Sequence, residues 1–180
     1  MKTTPLFSAG LLAVALTVSA QDRPSGYFDF GKLPTASGGE HVEVSVGGTI
    51  ASIASRFIDK SEPEAAKVLR SIKSLRVHVI ELKDDNRAQM VDRIKAIRTD
   101  LEGKAWEKIV SAQSKKEDVA IFLKSRGEEA IEGLVLTVLD GNKEAVLINI
   151  VGDIKPEQLA VLADKLHIDP LKKFAKSKKS

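Results

Sequence analysis

The fold is decided by residues 131–151, IEGLVLTVLDGNKEAVLINIV. Two apolar runs rich in β-branched residues flank Asp140-Gly141, a pair that favours a tight β-hairpin turn because glycine tolerates positive φ and Asp bonds to the turn backbone. Both runs are apolar at odd and at even positions. An antiparallel strand with one face in water should alternate with polar residues, so these two strands are predicted to be central or covered on both faces.

Both faces of such a sheet need a cover. The interpretation we favour is internal: helices cover one face, and aromatic residues near the amino terminus or a remaining helix cover the other. The alternative is an external cover, a partner protein or a second subunit.

Working outward from the hairpin, four further strands are predicted at residues 42–46, 75–82, 106–112 and 118–124. Ile50, Ile53, Ala54, Phe57 and Ile58 recur at helical spacing on one face of a first helix.

Three more helices complete the pattern. The second starts at a capping-box pattern, Ser61 with Glu64, and a third stacks apolar residues from Met90 to Leu101 and ends near Gly103. A last helix follows Pro156. The predicted fold class is α+β, with a mainly antiparallel sheet of five to six strands, helices packed against it and the order β-α-α-β-α-β-β-β-β-α.

The predicted organisation has four parts. Residues 1–20 resemble a secretory signal peptide, with Lys2, a short apolar run and cleavage near Ala20-Gln21. Residues 21–40 form an irregular leader, 41–168 a single α+β domain, and 169–180 a disordered lysine-rich tail. No later run is apolar enough to span a membrane, so the expected location of the mature chain is the periplasm or the exterior.

Charge and cysteine content narrow the partners. The chain has no cysteine, which excludes disulfides and thiol chemistry. Lys2 and five lysines of the last ten residues account for the net positive charge, and the body is mildly acidic. We therefore expect no nucleic-acid binding, and at most a weak contact between the tail and an anionic surface.

Gly152-Asp153 joins the last strand to the last helix, a setting in which phosphate loops occur. A phosphate loop needs clustered glycines, and here there is one, so we interpret the turn as structural. Asp153 is predicted to cap the helix or brace the turn, with Ile154 packing towards Leu159 or Leu162. A carboxylate-based enzyme using Asp153, Glu157 and an acidic turn at Asp84-Asp85 is the least favoured alternative.

The three histidines, His41, His78 and His167, are scattered. A zinc site drawing all three together is conceivable, but isolated histidines are more often surface residues. Glu81, Asp84 and Asp85 lack the spacing of a calcium loop. The sequence thus predicts no catalytic residue, no metal site and no cofactor.

Four stretches in this order resemble one bacterial family: VEVSVGGTIASIASRF, EAAKVLRSIKSLRVHVIEL, WEKIV and VLINIVGDIKPEQLAVLADKL. The family is domain of unknown function 4252 (DUF4252), and the likeness covers about residues 42–166. It implies an exported envelope domain with no assigned reaction. Many relatives carry a cysteine at the cleavage site for lipid attachment. This chain has Ala20-Gln21 there, so the resemblance gives no support for a lipid tether.

These observations favour a non-catalytic binding module of the bacterial envelope, linked to signalling or stress response, whose partner is an envelope protein or component. Carriage of a small apolar ligand is the alternative that the two-sided apolar strands suggest. Self-association stays open.

Overall fold

The computed structural model describes residues 23–114, 116–141 and 143–165. Its elements are β1 (His41–Gly47), α1 (Gly48–Ile58), α2 (Pro63–Ser71), β2 (Ile72–Glu81), α3 (Arg87–Gly103), β3 (Glu107–Gln113), β4 (Glu117–Arg126), β5 (Ala130–Asp140), β6 (Glu144–Ile154), a 3-10 turn (Pro156–Gln158) and α4 (Leu159–Lys165). The predicted α+β class and element order are confirmed. The signal peptide and the lysine-rich tail lie outside the described residues.

The six strands form one sheet in the order β1-β2-β6-β5-β4-β3, and every neighbouring pair is antiparallel. β5 and β6 form the predicted hairpin, and Gly141 adopts a φ of 50° in its turn. Both strands lie in the interior of the sheet, as their two apolar faces predict. β1 and β3 are its edges.

Each face of the sheet has its own buried cluster. On the first face, α1, α2 and α4 contribute Ala51, Val68 and Leu162 to a core that includes Leu134 and Ile150. On the second face, α3 packs together with the leader, which contributes Phe28, Phe30 and Leu33 to the buried cluster. The cover over β5 and β6 is therefore internal on both faces.

A buried amide fastens the leader to the sheet. Asn149 on β6 is 1% exposed. Its Oδ1 accepts the backbone N–H of Phe28 at 3.0 Å, and its Nδ2 donates to the carbonyls of Gly26 at 3.0 Å and Leu134 at 3.3 Å. Arg76 also donates to the carbonyl of Phe28. The apolar strand thus carries a buried polar residue because the leader's backbone needs partners there.

Two helix starts lack a side-chain cap. Glu62, not the predicted Ser61, precedes α2 as its N-cap and makes no side-chain cap bond, while the Ser61 hydroxyl donates to the carbonyl of Ile58. Asn86 precedes α3 as its N-cap, but its Oδ1 accepts the backbone N–H of Lys83 outside the helix. The side chains of Ser61 and Asn86 thus bond to the backbone before each helix and not to the helix itself.

Candidate functional site

The apolar stripe of α1 faces outward. Ile50, Ile53 and Phe57 are 59%, 48% and 84% exposed, whereas the residues that α1 buries are Ala51 and Ser55. These two small residues are centred roughly 140° around the helix from the three exposed side chains, at roughly 100° per residue. The predicted helix is confirmed, but three of the five residues of its apolar face are exposed large hydrophobic side chains.

Two valines of β1 extend this exposed area. Val42 is 51% and Val44 44% exposed. They lie opposite Val79 and Val77 of β2, on the sheet face that α1 also packs against. We call the five side chains of Val42, Val44, Ile50, Ile53 and Phe57 the α1 surface. Several large apolar side chains exposed on two adjoining elements mark an interaction site more often than single exposed residues do.

An apolar cavity of about 190 Å³ lies beside the end of α1. Ile58 lines it together with side chains of α2, α4, β2 and β6, among them Val68 and Leu75. Glu62 and Lys165, which form an ion pair, are the charged residues of its lining. An apolar cavity of roughly 150 Å³ binds benzene, so this one accepts one ring-sized group.

Gly152-Asp153 has a structural role, and of the two roles predicted for Asp153, capping the helix and bracing the turn, the structure contradicts the first. Both residues belong to β6. Gly152 is needed because a Cβ there would lie 2.5 Å from the backbone oxygen of Ser71. The Asp153 carboxylate is exposed and accepts a bond from Arg126 at 2.8 Å, and Lys155 is the N-cap of the following turn. The prediction that Asp153 caps the helix is therefore wrong.

Ile154 packs as predicted: its side chain is buried in one cluster with Leu159 and Leu162. Glu157, the second carboxylate of the enzyme alternative, is exposed on the 3-10 turn.

The acidic turn holds the leader. Asp85 accepts the backbone N–H of Ser37 at 2.8 Å, and Glu81 accepts that of Glu40 at 3.1 Å. These backbone bonds lower the pKa of both carboxyls below their usual range. Because both carboxylates are used to fix the chain, the structural interpretation of this turn is favoured over a calcium site.

Two of the three histidines come together. His41 on β1 and His78 on β2 stack with ring centroids 5.7 Å apart, and His41 Nε2 lies 3.5 Å from His78 Nδ1. Glu43, directly opposite His78 in the strand register, places Oε2 3.8 Å from the same Nδ1. His167 lies outside the described residues. Glu43 is not among the candidate ligands predicted from the sequence, because only the strand register places it opposite His78.

Burial disfavours the charged form of His78, the buried member of this cluster. His78 is 7% exposed, and its desolvation lowers the pKa of its imidazole, outweighing the opposite influence of Glu43. The contact between Glu43 and His78 is therefore not an ion pair at neutral pH. His78 Nε2 is buried and has no hydrogen-bond partner within the described part of the chain.

The architecture defines the class of protein: an α+β domain with a six-stranded antiparallel sheet, covered on one face by three helices and on the other by a helix and the leader. The chain belongs to the family Domain of unknown function (DUF4252), whose model matches residues 37–162. Comparison with curated proteins and comparison with solved structures gave no significant match. The family carries no assigned reaction, so the site must be argued from its own geometry.

Among the described residues, no helix has both the length and the apolar character needed to cross a bilayer.

Proposed function

We propose that this protein is a non-catalytic interaction module that binds an apolar segment of another protein on the α1 surface. The observation that carries the proposal is the outward stripe of α1, above all Phe57 at 84% exposure. Leaving a large aromatic side chain in water forgoes its burial energy, and interfaces are enriched in such residues because a partner recovers it. An exported location in the bacterial envelope remains part of this proposal.

The adjacent cavity indicates how the partner binds. Partner segments with an apolar stripe commonly anchor one side chain in a pocket while the stripe lies in a groove. A volume of about 190 Å³ suits a single ring or a branched aliphatic side chain. The cavity begins at Ile58, next in sequence to the exposed Phe57, so one segment can contact both.

The charges beside the stripe favour a protein over a lipid surface. Residues 56–64 contain two basic residues, Arg56 and Lys60, and three acidic ones, Asp59, Glu62 and Glu64. Helices that lie on anionic membranes are rich in Lys and Arg along their polar face. The α1 surface has no such excess of positive charge.

Carriage of a small apolar ligand is the second candidate, and the cavity is the observation that favours it. Ligand sites usually enclose about 300–1,000 Å³. The cavity here, at about 190 Å³, is smaller than that range and fits a partner's side chain better than a lipid chain. Native mass spectrometry of protein purified without detergent separates the two, because a retained lipid-sized adduct supports carriage.

The direct test is photocrosslinking in the source cells, with a benzophenone side chain placed at position 57. Position 95 on α3, where Lys95 is exposed, serves as the matched control. We expect one discrete adduct with a different protein from position 57 alone. Ile53→Asp should abolish it, and Ala65→Leu, which fills the cavity, should weaken it.

Four results would contradict the proposal: no adduct, the same adducts from both positions, an adduct of the chain with itself, or an adduct that neither Ile53→Asp nor Ala65→Leu changes. Flotation of the purified chain with anionic phospholipid vesicles would also contradict it, because it assigns the α1 surface to a membrane.

A further inference from the structure

We infer that His41, Glu43 and His78 form a binding site for a divalent transition-metal ion, with Zn²⁺ as the best fit. The cluster joins the edge strand β1 to β2 on the sheet face opposite the α1 surface. Its ligand atoms, one from each residue, all lie within 4.8 Å of one another. This inference is independent of the proposed protein partner.

The distance between the two imidazoles is the first argument. His41 Nε2 and His78 Nδ1 are 3.5 Å apart, longer than the 2.7–3.2 Å of an ordinary N–H hydrogen bond. Two nitrogens that each lie about 2.1 Å from one zinc ion and 3.5 Å from each other subtend an angle of about 113° at the metal. That value is close to the tetrahedral angle, so the spacing suits a shared ion better than a shared proton.

Glu43 supplies the third ligand. At 3.8 Å from His78 Nδ1, its Oε2 would subtend about 130° with that nitrogen at bonds of about 2.1 Å. The side chain is 54% exposed, so it can rotate towards the ion without disturbing the core. Two imidazoles and one carboxylate are a donor set that Zn²⁺ accepts readily. The chain has no cysteine, so it offers no thiolate ligand that would select a softer metal ion.

The backbone positions this set in advance. Glu43 and His78 are directly opposite in the antiparallel register. His41, two residues before Glu43, lies on the same face of β1. His78 is held in place by burial and by an edge-on contact with Phe30, with ring centroids 5.6 Å apart. One fixed ligand and two exposed ligands leave a fourth position open to water.

The test is calorimetric titration of the purified chain, without a polyhistidine tag, with ZnCl₂. We expect one ion per chain, and a loss of affinity of more than about tenfold in both His41→Ala and Glu43→Gln, since even changes to a metal's outer hydrogen bonds cost 10–100-fold. Both side chains are exposed, so these variants should fold normally. Glu107→Gln on the opposite edge strand is the matched control, and its affinity should be unchanged.

Cobalt gives a second readout, because Co²⁺ in a tetrahedral site absorbs visible light strongly. The band should appear with the unaltered chain and be lost in His41→Ala. Three results would overturn the inference. They are no zinc binding, zinc binding that His41→Ala and Glu43→Gln leave unchanged, and zinc binding that is lost in His167→Ala but kept in His41→Ala and Glu43→Gln.

Discussion

Replacing Asn149 tests whether the leader is part of the folded core. Asn149→Leu keeps the approximate size of the side chain but removes every bond that the amide makes. The N–H of Phe28 and the carbonyl of Gly26 then stay buried without a partner. Each such group costs about 1–3 kcal/mol, so we expect a loss of about 3 kcal/mol in the free energy of unfolding.

Urea unfolding followed by tryptophan fluorescence measures this loss. Trp106 is the single tryptophan, and its ring meets Phe28 of the leader edge-on at 6.2 Å. Detachment of the leader should therefore change the emission of the native state as well as the midpoint. Thr137→Val is the control: Thr137 is fully buried on the same sheet face but bonds to Arg98 instead of the leader. It should leave the native emission unchanged.

Asn149→Asp sharpens the test. The carboxylate would place a charged oxygen against the two carbonyls that Nδ2 now contacts, which raises the pKa of the new carboxyl. The destabilisation should be full above that raised pKa and shrink as pH falls through it, because the protonated acid can donate again. A free energy of unfolding of Asn149→Leu within about 0.5 kcal/mol of that of the unaltered chain, the range of ordinary surface substitutions, would show that the amide does not fasten the leader.

Three further predictions concern single positions. Phe57→Ser should change the free energy of unfolding by no more than about 0.5 kcal/mol, measured in urea, because the ring is 84% exposed. Gly152→Ala should lower the free energy of unfolding by about 1–3 kcal/mol, since its Cβ would lie 2.5 Å from a backbone oxygen at the end of α2. Gly47→Ala is the control: its Cβ meets nothing within 4 Å, so the loss should be less than about 1 kcal/mol. Backbone hydrogen bonds from Ser37 and Glu40 lower the pKa of Asp85 and Glu81, so the contribution of these two carboxylates to holding the leader is present above the usual carboxyl pKa and is lost as pH falls through the lowered values; tryptophan emission should shift below about pH 4.

The element order was predictable because it depends on local patterns. Alternation identified β1, helical spacing identified α1 and α3, and Asp140-Gly141 identified the central hairpin. The two apolar faces of β5 and β6 also predicted a cover on each face, because a strand buried on both sides has no position for polar residues, and an internal cover was the favoured interpretation. Export, the signal peptide and the envelope location stay predictions.

The orientation of α1 was not predictable in the same way. Helical spacing shows that Ile50, Ile53 and Phe57 share one face, but not which face meets the sheet. Ala51 and Ser55 are small, and burying them lets the helix backbone pack against α2 and β2 while the larger side chains stay outside. Tertiary packing therefore overrides the usual rule that the apolar stripe is the buried one.

The histidine cluster depends on a pairing that local patterns do not contain. His41 and Glu43 alternate on one face of β1, a signal visible in the sequence. His78 joins them only because β2, which follows two helices, returns antiparallel to β1 in a register that pairs Glu43 with His78. A one-residue slip would place His78 on the opposite face, so only the register brings the three residues together.

The two proposals meet on β1, whose alternation separates them: His41 and Glu43 face one side of the sheet, and Val42 and Val44 the other. As an edge strand, β1 pairs with β2 and with no other strand of the described residues. A metal ion bound by both strands stabilises the pairing of β1 with β2, and this stabilisation grows as the metal concentration rises above Kd. Where β1 frays from β2 in the metal-free chain, the metal should also strengthen binding of the partner. The yield of the position-57 crosslink should then fall with a zinc chelator in the unaltered chain, but not in Glu43→Gln. Equal chelator sensitivity in both chains would show that the metal acts elsewhere.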